Sequence, residues 1–271
     1  MRFPPRTETL PITRLTPSGT DRGERIVAAE YPIAISFCGI GYAVMMATPD
    51  DLEDFAFGFA LSERLIERPG HMVEVEILPA EAGLLLQVEL APERRDLVFE
   101  RVRHRIGESS CGLCGIENLE QALRPLPRLA PPPQVASEAI FAALGALRAH
   151  QPVNAETGAV HAAALVDADG NLVAVREDVG RHNAFDKLVG HCLRKRVDMA
   201  AGFALLTSRC SYELVEKAAL AGIRLLVTVS APTSLAVERA LQAGLTLIAL
   251  ARSDAMLVMT DPYGMFAESE G

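Results

Sequence analysis

Two closely spaced cysteines are the residues of this sequence best suited to chemistry. Cys111 and Cys114 lie in the segment GESSCGLCG, residues 107–115, and a glycine follows each of them. Glycine leaves the backbone bare and conformationally free, so both sulfur atoms can be exposed to a partner molecule. A basic run precedes the pair and a helix-like run follows it, and positive charge and a helix N-terminus both stabilise a thiolate. The pattern indicates a sulfur nucleophile presented on a loop.

Three kinds of site fit a C-x-x-C pair, and the rest of the sequence ranks them. Catalytic sulfur chemistry comes first and a redox dithiol second, because C-x-x-C alone does not specify a thioredoxin-like fold. Structural zinc comes third, because such sites commonly take four ligands. The remaining cysteines, Cys38, Cys192 and Cys210, are scattered singly, and no two histidines have the required spacing. We therefore assign no residue to a metal.

Composition narrows the class of protein. The 271 residues are 49% hydrophobic and carry a net charge of −9, whereas nucleic-acid binders present basic surfaces, so we expect no nucleic-acid partner. The first residues lack the apolar core of a signal peptide, and no run of about 18 uncharged apolar residues occurs, so we expect no membrane association. Five irregularly spaced cysteines suit a reducing compartment, and the cytoplasm is the expected location.

The first half of the chain must position the cysteine segment, and its pattern is α+β. Residues 1–22 contain few bulky apolar groups and are expected to form a flexible arm. Thr48 is the predicted N-cap of a helix whose apolar stripe comprises Leu52, Phe55, Ala56 and Phe59. Strands are predicted at residues 25–29, 32–37, 42–46, 73–77, 84–90 and 97–99. We assign this domain to residues 23–124, ending in the cysteine loop.

A proline-rich connector, residues 125–133, opens the second half, which we assign to residues 125–271. Such a stretch cannot continue a helix or a central strand, so it is the best candidate for a domain boundary. Beyond it come a predicted helix at 137–150, a hairpin at 160–176, and a helical stripe that buries Cys192. Strands at 202–206, 223–229 and 245–250 then alternate with helices at 211–221 and 234–243. Alternation of this kind predicts an α/β fold with a partly parallel sheet.

The carboxyl ends of these strands are the predicted ligand site, because ligands gather there in open α/β sheets. The ends read TSRCS, SAPTS and ARSD, at residues 207–211, 230–234 and 251–254, and are rich in hydroxyl groups. Helices that begin at Ser211 and Ser234 would present free N–H groups to a phosphate, with ordinary capping by serine as the alternative.

A second polar cluster surrounds a strand-to-helix turn. The segment REDVGRHNAFDK, residues 176–187, holds Asp178 and His182, and His161 interrupts an otherwise apolar strand. A buried histidine is costly unless it is hydrogen-bonded, and a satisfied core histidine is the commoner outcome. The clustering of ionisable groups favours a functional role for these three residues.

The chain resembles the formate dehydrogenase accessory sulfurtransferase family over about residues 25–262. The resemblance lies in ordered motifs that include ATPDDLEDFAFGF at 47–59, SSCGLCG at 109–115, TGAVH at 157–161, the 176–187 segment, SYELVEK at 211–217 and VSAPTSLAV at 229–237. It implies a homodimer whose C-terminal domain is a cytidine-deaminase-like, three-layer αβα fold. It also implies a carrier that accepts persulfide sulfur from a cysteine desulfurase and delivers it to a molybdenum or tungsten bis(molybdopterin guanine dinucleotide) cofactor, for formate dehydrogenase.

Carried onto this sequence, the resemblance implies a persulfide on Cys111, with Cys114 as its partner in transfer. The cofactor segment falls on Leu250, Ala251, Arg252, Ser253, Asp254 and Ala255, with Ser230, Thr233, His161 and Arg209 beside it, and a guanine nucleotide such as GDP would mimic the ligand. The chain departs from the family pattern at Cys38, Arg64, Ser208 and Met259. The rival function is a non-catalytic chaperone that binds the molybdenum cofactor for formate dehydrogenase. A zinc hydrolase of deaminase type is a weaker rival, because the P-C-x-x-C and H-x-E pair is absent from the sequence.

Overall fold

A computed structural model of the chain describes residues 4–107 and 124–266. Its strands are β1 (Thr7–Thr16), β2 (Gly19–Ala28), β3 (Tyr31–Phe37), β4 (Ile40–Ala47), β5 (Met72–Ala80), β6 (Gly83–Leu90), β7 (His161–Asp167), β8 (Leu172–Asp178), β9 (Gly202–Leu206), β10 (Leu225–Thr228), β11 (Thr246–Ala249) and β12 (Leu257–Thr260). Its α-helices are α1 (Leu52–Ser62), α2 (Arg95–Gly107), α3 (Ser137–Leu147), α4 (Pro152–Thr157), α5 (Arg181–Lys195), α6 (Tyr212–Leu220) and α7 (Ser234–Ala243). Short 3₁₀ turns lie at Pro69–His71, Pro92–Arg94 and Arg148–His150.

The N-terminal segment is a β-hairpin. Strands β1 and β2 pair antiparallel from the Thr7–Ala28 pair to the Thr16–Gly19 pair, so the predicted flexible arm over residues 1–22 is wrong for this stretch. Nearly all of its side chains are exposed, which explains why the sequence shows no apolar face. Backbone pairing and β-branched residues form the hairpin without a core of its own. The guanidinium of Arg25 ties it to the second half by donating to the Thr157 carbonyl at 3.2 Å.

The first half is built on a four-stranded sheet in the order β4-β3-β6-β5. Strands β3 and β6 are parallel, and the other pairs are antiparallel. Helix α1 buries the predicted apolar stripe, and Phe59 stacks on Phe37 with ring centroids 6.3 Å apart. The predicted strand at residues 97–99 is wrong, because these residues lie in α2. Three apolar residues are too short a run to distinguish a strand from a helix turn.

Helix α1 begins later than its sequence predicts. Its N-cap is Asp51, in the left-handed region at φ 52°, and not Thr48. Thr48 is buried and bonds to the second half instead, where its hydroxyl accepts from the Val179 N–H at 3.2 Å. Its own N–H donates to the Asp178 carboxylate at 3.0 Å. A tertiary contact therefore takes the hydroxyl that would otherwise cap the helix.

The second half is a six-stranded mixed sheet in the order β12-β11-β10-β9-β7-β8. Strands β9, β10 and β11 are parallel, as the alternating pattern predicts, and the other strands are antiparallel. One face packs on α3, and the opposite face packs on α5, α6 and α7. The predicted α/β class, with helices on both faces of this sheet, is confirmed.

The two halves meet along α1 and α5. Gly58 of α1 faces the backbone of Asp186, and Gly190 of α5 faces the backbone of Asp54, so closely that a Cβ at either glycine would lie 1.8 Å from a carbonyl oxygen. Buried residues of both halves form one apolar cluster that reaches from β3 and α1 to α5 and α6. The connector at 125–133 has no regular structure, but the assignment of two separate domains stays a prediction. Across the described residues, no helix combines the length and apolar character needed to cross a membrane.

Candidate functional site

Three loops meet at the carboxyl ends of the parallel strands. We call residues 207–211, 230–234 and 250–255 the strand-end loops. The Cys210 N–H donates to the Ala231 carbonyl at 3.2 Å, and the Thr233 N–H donates back to the Cys210 carbonyl at 3.0 Å. The Leu250 N–H donates to the Ser230 carbonyl at 3.3 Å. The fold thereby brings together Arg209, Ser230, Thr233 and the 250–255 segment, as the sequence predicts.

His161 lies at the same edge because β7 runs antiparallel to β9. The Ala162 N–H donates to the Thr207 hydroxyl at 2.9 Å, and His161 pairs in register with Asp178 at the end of β8. Burial lowers the pKa of His161 from 6.5, and the positive charge of Arg181 lowers it further. Asp178 opposes this shift only in part. The imidazole is therefore a neutral group at neutral pH.

The strand-end loops differ in what they present to a ligand. Arg209, Thr233 and the side chains of residues 252–255 are exposed, whereas Ala251 is buried and can contribute only its backbone. Leu250 adopts the left-handed conformation at φ 51°, which turns the chain out of β11. Thr233 caps α7 by accepting from the Ala236 N–H at 3.3 Å, so this oxygen already has a partner. The loops offer hydroxyl groups and two exposed guanidinium groups to a ligand.

A cleft of about 320 Å³ opens between the two halves of the chain. We call it the junction cleft; its lining includes Met45, Phe59, Ser62, Glu63, Arg124, His182, Asp186, Glu213, Glu216 and Lys217. The Lys217 ammonium contacts both oxygens of Asp186 at 2.7 Å, and the Ser62 hydroxyl donates to the same carboxylate at 2.6 Å. The acids and the lysine of α6 were not predicted from the sequence as site residues; they are Glu213, Glu216 and Lys217. The SYELVEK motif was the available signal.

His182 connects the junction cleft to the strand-end loops. Its Nε2 lies 3.1 Å from a Glu213 oxygen and 3.3 Å from the Ser211 hydroxyl of the first loop. The hydrogen bond from His182 is the main cause of the lowered pKa of the Glu213 carboxyl. A histidine held by a carboxylate at the mouth of a cleft is an arrangement suited to proton transfer or to ligand recognition.

The Asp178 carboxylate has a structural role, because groups of the protein itself bind it. It is fully buried, lies 2.7 Å from the Lys187 ammonium, and also accepts from the Gly180 N–H at 2.7 Å. The Asn183 amide donates to it at 3.0 Å. These partners satisfy the carboxylate within the protein, so its contacts orient the turn that leads into α5.

The described chain resumes at Arg124, which lies at the rim of the junction cleft. The carbonyl of Arg124 accepts from the Arg239 guanidinium, and the Pro125 carbonyl accepts from the Arg64 guanidinium at 3.1 Å. Burial, with the positive charge of Arg101 nearby, lowers the pKa of both Arg64 and Arg124. Arginines and glutamates therefore lie side by side along this rim. Cys111 and Cys114 themselves lie outside the described residues, and their predicted role stays a prediction.

Two of the other thiols are shielded from solvent. Cys192 and Cys210 are fully buried, and burial raises the pKa of each thiol to about 12. Such thiols remain protonated at neutral pH and are poor nucleophiles. The predicted burial of Cys192 in the apolar stripe of α5 is confirmed.

Known proteins resemble this chain over most of its length. The sulfur carrier protein FdhD of Xanthomonas euvesicatoria is 50% identical over 240 residues, which cover 88% of this chain and 84% of the relative. The sulfur carrier protein FdhD of Bordetella petrii is 42% identical over 236 residues, covering 87% and 85%. A crystal structure assigned as a formate dehydrogenase accessory protein from Desulfotalea psychrophila superposes with a TM-score of 0.72 at 25% identity, covering 96% of this chain and 99% of the other.

These matches cover enough of the chain to show which family it belongs to. The model of the FdhD/NarQ family matches residues 28–265, a span that contains the four-stranded and six-stranded sheets, the strand-end loops and the cysteine segment. The motifs that carried the resemblance all lie inside it. The chain belongs to the FdhD/NarQ family.

Proposed function

We propose that this protein is a sulfur carrier for formate dehydrogenase maturation, which receives persulfide sulfur from a cysteine desulfurase and delivers it to the molybdenum or tungsten bis(molybdopterin guanine dinucleotide) cofactor. The observation that supports this most is family membership over residues 28–265 together with the C-x-x-C pair at Cys111 and Cys114. The relatives in Xanthomonas and Bordetella bear the name sulfur carrier protein. We propose in addition that the protein works in the cytoplasm as a homodimer.

The loading step is a thiol exchange at sulfur. The Cys111 thiolate attacks the outer sulfur of the donor persulfide, forming a new S–S bond while the donor cysteine leaves as a thiolate. The product is a persulfide on Cys111. Its rate rises with the thiolate fraction of the attacking cysteine and with its accessibility, and a basic neighbourhood increases that fraction. In the sequence, Arg101, Arg103 and Arg105 shortly precede the cysteine segment and supply positive charge close to it along the chain.

Release of the sulfur requires two electrons. The Cys114 thiolate attacks the inner sulfur of the Cys111 persulfide, which forms a disulfide between the two cysteines and expels the outer sulfur as hydrosulfide. The two thiols supply the electrons, so a dithiol reductant must reopen the disulfide before the next cycle. The acceptor is the metal centre of the cofactor, which is here a substrate.

The strand-end loops suit the nucleotide part of that substrate. Arg252, Ser253 and Asp254 are exposed, and Arg209 and Thr233 lie on the neighbouring loops. Hydroxyl groups, backbone N–H groups and guanidinium groups are the donors that bind phosphate and nucleobase oxygens. We propose that Leu250 to Ala255, with Ser230, Thr233, His161 and Arg209, hold the guanine nucleotide, and that GDP binds there as a mimic.

The test is persulfide loading measured by intact-mass spectrometry after the protein is mixed with a cysteine desulfurase and cysteine. Wild type should gain the mass of one sulfur atom, and Cys111→Ala should gain none while remaining folded. Cys38→Asn is the matched control, because Cys38 adopts φ 50° and asparagine tolerates this conformation. Loading of Cys111→Ala to the wild-type level would end the assignment of Cys111. If the double variant Cys111→Ala/Cys114→Ala still restored formate dehydrogenase activity in cells, the non-catalytic chaperone would be the better description.

A further inference from the structure

The four-stranded sheet buries one face and leaves the other open. Ile33, Ile35 and Leu86 lie on the side of α1 and are buried. Successive side chains of a strand point to opposite sides, so Ala34 and Leu85, which pair in register, point away from α1. We call this second side the outer face; it comprises the even-numbered residues of 32–36, 44–46 and 74–78 and the odd-numbered residues of 85–89.

One half of the outer face is apolar. A single row across all four strands contains Val44, Ala34, Leu85 and Leu78. Val44 is 67% exposed, and Met46 beside it is 47% exposed. A groove of about 340 Å³ opens next to this row, because positions 34, 36, 39 and 41 carry only alanine, serine and glycine. Exposed apolar side chains that border a groove mark a site of protein interaction.

The other half of the outer face is acidic. Glu74 and Glu89 lie directly opposite each other on β5 and β6, and Glu76 follows on the same side of β5. Like charges in such a cross-strand pair repel each other and destabilise the sheet. Arg95 lies 3.5 Å from Glu89, and among the described residues neither Glu74 nor Glu76 forms an ion pair. The sheet therefore carries a repulsion that cations of another molecule would relieve.

The position of the outer face along the chain indicates which partner uses it. Arg95, which contacts Glu89, is the first residue of α2, and this helix of 13 residues ends at Gly107, where the cysteine segment begins. A helix of that length spans about 20 Å. A protein bound to the outer face therefore lies about one helix length from the start of that segment. In the proposed function, the sulfur donor is the protein that must reach the two cysteines.

We propose that the outer face docks the sulfur-donor protein through an apolar surface of the donor that is bordered by lysine or arginine side chains. The apolar row buries the donor's apolar groups, and Glu74 and Glu76 pair with its cations. Complementary charges at such a contact accelerate association and fix its orientation. The identity of the donor as a cysteine desulfurase rests on the proposed function. A second copy of this chain is a poorer match, because its net charge is −9 and its outer face is acidic as well.

Biolayer interferometry of the full chain against the cysteine desulfurase used in the loading test examines the apolar half. Val44→Asp places a charge in the apolar row, and the desulfurase should bind this variant about tenfold more weakly or worse. Val173→Asp is the matched control, because Val173 is likewise an exposed valine in an edge strand, β8 of the six-stranded sheet. This control should bind the desulfurase as the wild type does.

Charge reversal examines the acidic half separately. Glu74→Lys/Glu76→Lys should weaken desulfurase binding by about tenfold and make it less sensitive to salt. The same substitutions remove the repulsion with Glu89, so the urea midpoint of the variant should not fall. Glu156→Lys, at an exposed position on α4, is the control and should leave the affinity unchanged.

Three results would overturn the docking face. The first is wild-type affinity of both Val44→Asp and Glu74→Lys/Glu76→Lys for the desulfurase. The second is normal desulfurase binding by variants that dissociate a dimer in sedimentation, which would make this face a contact between copies of the chain. The third is loss of affinity for formate dehydrogenase alone.

The loading test separates this proposal from the proposed function. If wild type and both outer-face variants gain persulfide at the same rate at low desulfurase concentration, the docking face is wrong and the sulfur carrier stands. If the substitutions weaken desulfurase binding but the wild type gains no persulfide, the sulfur carrier is wrong and the docking face stands.

Discussion

Lys187 and Asp178 form an ion pair in which both side chains are fully buried. The ammonium lies 2.7 Å from the carboxylate and also donates to the Thr48 carbonyl at 2.9 Å, so the pair joins α5 to the chain that enters α1. Lys187→Met would leave a buried carboxylate without its counterion, and we expect a loss of about 3–5 kcal/mol in the free energy of unfolding. Urea denaturation measures this loss. Lys195→Met, at an exposed position on the same helix, should cost less than about 0.5 kcal/mol; an equal cost at both positions would contradict the assignment.

His161 links stability to pH. Burial keeps its pKa in the folded protein below 6.5, and burial does the same for the pKa of His191. As the pH falls through 6.5, the unfolded chain therefore takes up protons before the folded protein does, and folding becomes less favourable. We expect the free energy of unfolding to fall between about pH 7.5 and pH 5.5 and to fall less in His161→Gln. Urea midpoints measured across that range decide this, and identical slopes for both proteins would exclude a role for His161.

At the scale of elements, the contact between α1 and α5 depends on two glycines. A Cβ added at Gly58 would lie 1.8 Å from the Asp186 carbonyl oxygen, and backbone cannot move aside as a flexible side chain can. Gly58→Ala must push the helices apart, and we expect a loss of about 3 kcal/mol or more. Gly145→Ala is the control, because Gly145 lies inside α3 with nothing within 4 Å of the new Cβ.

The control variant should change the free energy of unfolding in the opposite direction. Alanine is the better helix former, so Gly145→Ala should stabilise the protein by about 0.5–1 kcal/mol in thermal or urea denaturation. Destabilisation by Gly58→Ala no greater than the effect at Gly145 would mean that the two helices can separate at little cost. In that case α1 and α5 would not be the contact that holds the halves together.

At the scale of the whole molecule, the shared apolar cluster predicts one cooperative unfolding transition. Residues of both sheets and of α1, α5 and α6 belong to it, so neither half can lose its packing alone. We expect the amide protection of α1 and that of α5 to be lost at the same urea concentration. Peptide-resolved hydrogen exchange measures each helix separately. Two transitions, divided near residue 125, would instead support the division into two domains that the proline-rich connector suggests.

Local patterns in the sequence were sufficient for most elements. The apolar stripe of α1, the buried run of α5 and the alternating strands and helices after residue 200 were predictable, because spacing along the chain decides which side chains share a face. The alternation of strands and helices also predicted that the strand-end loops lie at one edge of a parallel sheet. Local patterns failed for the N-terminal hairpin, which lacks a buried face, and for residues 97–99, whose apolar run is too short.

The sequence by itself therefore determined the cysteine motif, the α/β class, the strand-end edge and, through ordered motifs, the family. Only the tertiary structure decided that Thr48 bonds to the second half, that Asp178 is satisfied by Lys187, and that Arg181 has a buried nitrogen without a partner in the described chain. The junction cleft also depends on the tertiary structure, because residues of both halves line it. The physical reason is that periodicity encodes burial within one element, whereas hydrogen-bond satisfaction depends on residues far apart in sequence.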